Sequence, residues 1–127
     1  MIDDMGMFRT TLGVAALDKP KYRRELFDVV VDARSEYNWI PSQVLDELGV
    51  TPVRTDRFET PDGRLLERQI GFALVYAGGR SAPSVVVFAS QGDTVLLGAH
   101  ALEGLNLHVE PGQRELVPAG PVPAPIA

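Results

Sequence analysis

Asp32 is the residue of this 127-residue chain best placed to do chemistry. It closes the apolar run Val29-Val30-Val31 and opens the polar stretch Ala33-Arg34-Ser35-Glu36-Tyr37-Asn38. A carboxylate at such a junction has two ordinary uses. It bonds the backbone of the turn that follows it, or, if a second carboxylate meets it, it moves protons as half of an acid–base pair. The other reactive side chains offer less. His100 and His108 are the only histidines, and they fall on different predicted elements, whereas a zinc site draws on three or four protein ligands. The chain has no cysteine, which excludes disulfides, zinc thiolates and thiol nucleophiles and suits a reducing compartment. Nothing matches a phosphate-binding glycine loop, a serine-hydrolase elbow or a zincin helix. Tyr37 and Trp39 could form an aromatic shelf for a ligand, although a lone Trp beside a helix start more commonly packs in a core or interface.

The elements around Asp32 follow from Pro and Gly punctuation and from β-branched runs. Residues 7–17 predict a first strand, Asp18-Lys19-Pro20-Lys21 a turn, and residues 22–31 a second strand ending in the valines. Residues 41–50 predict a short helix. Pro41 suits its first position, Val44, Leu45 and Leu48 share one face, and Gly49 supplies the stop. Two hairpins follow, turning at Pro61-Asp62-Gly63 and at Gly78-Gly79, the second between the apolar segments 71–77 and 83–89. These hairpins make an antiparallel layout, and a strand through Leu97, a short helix from Ala99 to Glu103 and two closing strands around Pro111-Gly112 follow.

Composition bounds the class of protein. The length is that of one domain with its own core, expected over residues 1–118, followed by a Pro-rich, disordered tail over 119–127. Seventeen acidic residues against twelve basic ones argue against nucleic acid, and the cations are scattered except for Lys21, Arg23 and Arg24. The acidic start lacks the features of a signal peptide, and no apolar run approaches a membrane span. The expectation is a cytoplasmic protein without a metal or cofactor and without a membrane partner.

The order of these features resembles the retropepsin-like aspartic protease superfamily, in particular its small bacterial single-domain members. In that family an apolar strand ends in Asp-Thr-Gly-Ala or Asp-Thr-Gly-Ser, a hairpin flap follows, and a hydrophobic-hydrophobic-Gly motif precedes the C-terminal helix. Here Val29 to Ser35 take the first place, residues 58–72 the flap, and Val95 to Leu107 the third, with Leu97-Gly98 as the motif. The resemblance covers Thr10 to Pro118. It implies an all-β, retropepsin-like closed barrel with one or two short helices, and a homodimer. It also implies peptide-bond hydrolysis by a dyad of Asp32 from each subunit, with Pro61, Asp62 and Gly63 at the flap tip and Leu97 and Gly98 supporting the cleft. Two carboxylates so close share one proton, and the ionised one acts as base toward the attacking water. The active-site turn departs from the family at Ala33 and Arg34, where Thr and Gly stand, and continues with Ser35. Ala33 lacks the hydroxyl that joins the family's interface network, and Arg34 adds a cation that favours carboxylate ionisation. The competing expectation is therefore a non-catalytic relative that keeps the fold for dimerisation or peptide binding.

Overall fold

The computed structural model describes residues 8–110, 112 and 114–126. Among these residues, nine strands and two helices follow one another as β1 (Phe8–Ala15), β2 (Arg24–Val31), β3 (Asn38–Pro41), α1 (Ser42–Leu48), β4 (Arg54–Glu59), β5 (Leu65–Ala77), β6 (Arg80–Ala89), β7 (Leu96–Leu97), α2 (Ala99–Leu105), β8 (Leu107–Glu110) and β9 (Glu115–Pro118). Of the expectations above, Met7 in the first strand and Pro111 in the last turn lie outside the described residues.

Seven strands form one sheet in the order β1-β2-β7-β3-β6-β5-β4, and β1 also pairs with β5, so the sheet closes into a barrel with β4 attached outside the ring. The chain is thus an all-β closed barrel with two short helices. Its core is aliphatic. Leu12, Val14, Val29, Val31, Ile40, Val75, Val86 and Leu97 are fully buried, with Leu45 of α1 and Ala101 and Leu105 of α2 packed against them. The β-branched runs that predict strands are the ones that fill the interior, because branched side chains pack well on a pleated surface.

The two hairpins are antiparallel, β4 with β5 and β5 with β6, while the pairings between distant segments include parallel ones. β2 runs parallel to β7, pairing Val30 with Leu96 and Val31 with Leu97, and β3 runs parallel to β6 from Asn38–Val86 to Pro41–Ala89. The hydrophobic pattern marks strands but carries no information on their direction. Residues 71–77 belong to the long β5, whose first half pairs with β4 and whose second half pairs with β6. Pro41 ends β3 and caps α1 with φ −51° and ψ 130°, instead of occupying the first helical position. Gly49 stops the helix in the left-handed conformation, as expected. α2 continues past Glu103 to Leu105, where Asn106 takes the left-handed cap. Asn106 also accepts a bond from the Ala119 N–H and donates Nδ2 to Gly120 O, which ties down the start of the Pro-rich tail.

A bulge in β2 sets the phase of its valines. The register against β1 shifts between Thr10 and Leu12, and Asp28 lies at φ 57°. One extra residue reverses which face successive side chains take. Leu26 is therefore partly buried on one side of the bulge, and Val29 and Val31 are buried on the other.

Candidate active site

Asp32 is fixed by its backbone before its side chain acts. The parallel pairing of β2 with β7 ends where the Asp32 N–H donates to Leu97 O at 3.0 Å. The next residues turn at once, with the Ser35 N–H donating to Asp32 O at 3.1 Å and the Arg34 N–H to Asp32 Oδ1 at 3.0 Å. A side-chain oxygen that accepts the N–H two residues on is an Asx-turn. Asp32 is thus a turn-former. Its carboxylate has a second partner of a different kind, because Arg34 folds back and donates Nε to Oδ1 at 3.0 Å and Nη2 to Oδ2 at 3.2 Å. Such forked, charge-assisted bonds are among the stronger hydrogen bonds of proteins. The Asp32 side chain keeps 17% of its exposure and that of Arg34 keeps 55%. The side-chain bond from Arg34 holds the Asp32 carboxyl below the usual aspartate range, outweighing the partial burial that would raise it.

The turn then crosses over the end of β7. Ser35 O accepts the Ala99 N–H at 2.7 Å and Glu36 O accepts the His100 N–H at 3.0 Å, so the turn supplies acceptors for the first amides of α2. Gly98 permits the crossing. A Cβ there would lie 2.4 Å from Tyr37 O and 2.7 Å from Ser35 O, both backbone atoms. Leu97 is fully buried beside it. The Ser35 hydroxyl donates to Tyr37 O at 2.9 Å, while Ala33 is exposed.

Asn38, fully buried, fastens this crossing to the barrel. Its Oδ1 accepts the Gly98 N–H at 2.8 Å, and its Nδ2 donates to Ser84 Oγ at 2.9 Å and Val85 O at 3.0 Å. Sequence reasoning passed over Asn38 and Ser84. The available signal was alternation, since Asn38 shares its strand face with the buried Ile40, and a polar residue on an inward face needs a partner.

Tyr37 and Trp39 pack with the β4–β5 hairpin. Phe58 of β4 meets Trp39 edge-on at 5.0 Å between ring centroids and Tyr37 at 6.3 Å, and Tyr37 also meets His100 at 5.6 Å. These geometries are favourable aromatic pairs, and they join the tip end of the β4–β5 ladder, where Phe58 pairs with Leu66, to the segment that follows the Asp32 turn. The tip is separate. Pro61, Asp62 and Gly63 are exposed, and the tip's hydrogen bonds stay within Thr60 to Arg64: Thr60 N–H to Arg64 O at 2.8 Å, Gly63 N–H to Thr60 O at 2.9 Å, and Thr60 Oγ1 to Asp62. Asp32, Ala33, Arg34, Ser35, Leu97 and Gly98 therefore form one cluster, and the three tip residues stand apart from it.

A second ion pair supports the loop that delivers β7. Arg68 of β5 donates to Asp93 at 2.8 Å and 3.1 Å, and Asp93 also accepts the Ser90 N–H at 2.7 Å. Arg68 holds the Asp93 carboxyl below its usual range. His100 and His108 are exposed on α2 and β8. Among the described residues no group of three His, Cys, Asp or Glu could hold a metal ion, and no helix is long and apolar enough to cross a membrane.

No protein-family model matches the chain, and no curated protein matches it. Among solved structures it is similar to the solution structure of Simian Foamy Virus (mac) protease, at 17% identity and a TM-score of 0.47, over 74% of this chain and 92% of that one.

Proposed function

We propose that the chain is an aspartic-type endopeptidase that works as a two-fold homodimer in the cytoplasm, with Asp32 of each subunit forming the dyad. The supporting observation is the seating of Asp32, whose N–H is bonded to Leu97 O where two strand ends cross at Gly98. A carboxylate meant to meet its symmetry mate needs a rigid backbone and partial exposure, and this turn has both. In the dyad, one ionised carboxylate takes a proton from water, whose oxygen adds to the scissile carbonyl, while the protonated carboxyl donates to the carbonyl oxygen. The β4–β5 hairpin covers an extended peptide in the cleft.

Arg34 opposes the shared proton. Its fork stabilises the ionised form of Asp32, so the singly protonated dyad forms only at lower pH than it would without the cation. The same fork, together with the missing hydroxyl at Ala33, favours a second reading, a non-catalytic dimerisation or peptide-binding module of the same fold. The two separate on one experiment. Cleavage of a diverse peptide library is measured from acidic to neutral pH for the parent, for Ala33→Thr with Arg34→Gly, and for that double variant carrying Asp32→Asn. The peptidase reading expects cleavage to rise in the double variant and vanish with Asp32→Asn. A double variant that dimerises yet cleaves nothing leaves the binding module.

A further inference from the structure

The basic residues that follow β1 take no part in the Asp32 cluster. Their segment is nonetheless held in a defined shape. The Lys19 N–H donates to Ala16 O and the Tyr22 N–H to Lys19 O, each at 3.1 Å, and the Tyr76 hydroxyl of β5 donates to Pro20 O at 2.9 Å. The Arg23 guanidinium lies over the same Tyr76 ring, 4.6 Å from its centroid, and pairs through Nε with Glu25 at 3.1 Å. Arg80, at the start of β6, donates Nη1 to Leu105 O at 3.2 Å and to Asn106 O at 3.3 Å. Arg23, Glu25, Tyr76, Gly79, Arg80 and Ser81 line a recess of about 480 Å³.

We propose that this recess docks an acidic segment of a partner polypeptide, seating its carboxylates on Arg23 and Arg80. Both guanidiniums are held by contacts that use only some of their donors, so a ligand meets preformed forks and orders less side chain on binding. The charge distribution selects the partner. The recess sets Arg23 and Arg80 against Glu25 alone, while the rest of the chain holds ten cations against sixteen carboxylates. An acidic segment is drawn to this patch and repelled elsewhere. Glu25 in the wall disfavours a compact dianion such as phosphate, whereas carboxylates spaced along an extended chain can reach Arg23 and Arg80 while its backbone passes Glu25. Long nucleic acid is opposed by the net charge of −5.

The test is fluorescence anisotropy of a labelled ten-residue peptide of alternating Glu and Gly with the full chain at low salt. The matching Gln peptide, inorganic phosphate and a single-stranded oligonucleotide serve as comparisons, and amide shifts map the contact. The acidic peptide is expected to bind with shifts confined to residues 19–25 and 76–81 and to weaken with added salt. Arg23→Gln and Ser81→Glu should each reduce affinity by about tenfold, the scale of one charge-assisted bond. Ser81→Glu touches no hydrogen bond of the recess, so its effect is not one of misfolding. Equal binding of the Gln peptide, affinity unchanged by Ser81→Glu, displacement by equimolar phosphate, or preference for the oligonucleotide would each overturn the proposal.

Discussion

At the scale of single residues, Asp32 shapes its own turn and also carries the charge that chemistry would use. Both roles pass through Arg34, whose backbone N–H and side chain bond the same carboxylate. The sign of the electrostatic effect is fixed. A depressed carboxyl stabilises the fold fully above its unfolded value, and that contribution is lost as pH falls through the folded value. Arg34→Gly should therefore raise the Asp32 titration midpoint, read by carboxyl carbon NMR, and move the pH profile of any peptidase activity upward. An unchanged midpoint would mean that the forked bonds do not persist in solution. Asn38 offers a prediction of another kind. Asn38→Ala strips the partners from the buried Gly98 N–H and Ser84 hydroxyl, so chemical denaturation should show a loss of about 1–3 kcal/mol for such unsatisfied groups.

Among the elements, the β4–β5 hairpin combines a ladder fastened by side-chain contacts with a tip loop whose hydrogen bonds stay within Thr60 to Arg64. Phe58 packs on Tyr37 and Trp39, and Arg68 anchors the middle of the hairpin to Asp93. Between Thr60 and Arg64 the side chains are mostly exposed, and Gly63 sits at φ 87°. Local opening is easiest where few apolar contacts must be broken. Amides from 61 to 64 should thus exchange with deuterium far faster than those of residues 85–88 in the buried β6. Equal protection in the two segments would identify the tip as packed structure and remove its role as a lid.

For the molecule as a whole, a barrel that presents one Asp32 turn supplies half of the site proposed for it. Sedimentation equilibrium over a wide concentration range should find a two-fold homodimer. If the proposed dyad forms, Ala33→Thr should tighten the dimer by adding a hydroxyl beside it, by an amount near the 0.5–1.5 kcal/mol net worth of an ordinary hydrogen bond, or roughly two- to tenfold in dissociation constant. A strictly monomeric chain at high concentration would eliminate a composite dyad.

Local pattern was enough to identify most elements. Valine runs at 29–31 and 85–87 mark strands because branched side chains favour a pleated, buried surface. Gly49 marks a helix end and Pro61-Asp62-Gly63 a turn because their backbone preferences act within a few residues. The junction at Asp32 was legible for the same reason. What local pattern does not encode is which strands become neighbours and in which direction, since that depends on contacts between residues far apart in the chain. The parallel pairing of β2 with β7, the strand at Asn38–Pro41 and the bulge at Asp28 all belong to this second class. So does the Asn38 link to Gly98, which joins residues 60 positions apart. The fate of Arg34 lies between the two. Its charge and its place beside Asp32 could be read directly, but only the folded turn brings its guanidinium back onto both carboxylate oxygens. The turn that brings Arg34 onto Asp32 is held by Leu97, Ala99 and His100, residues more than sixty positions further along the chain.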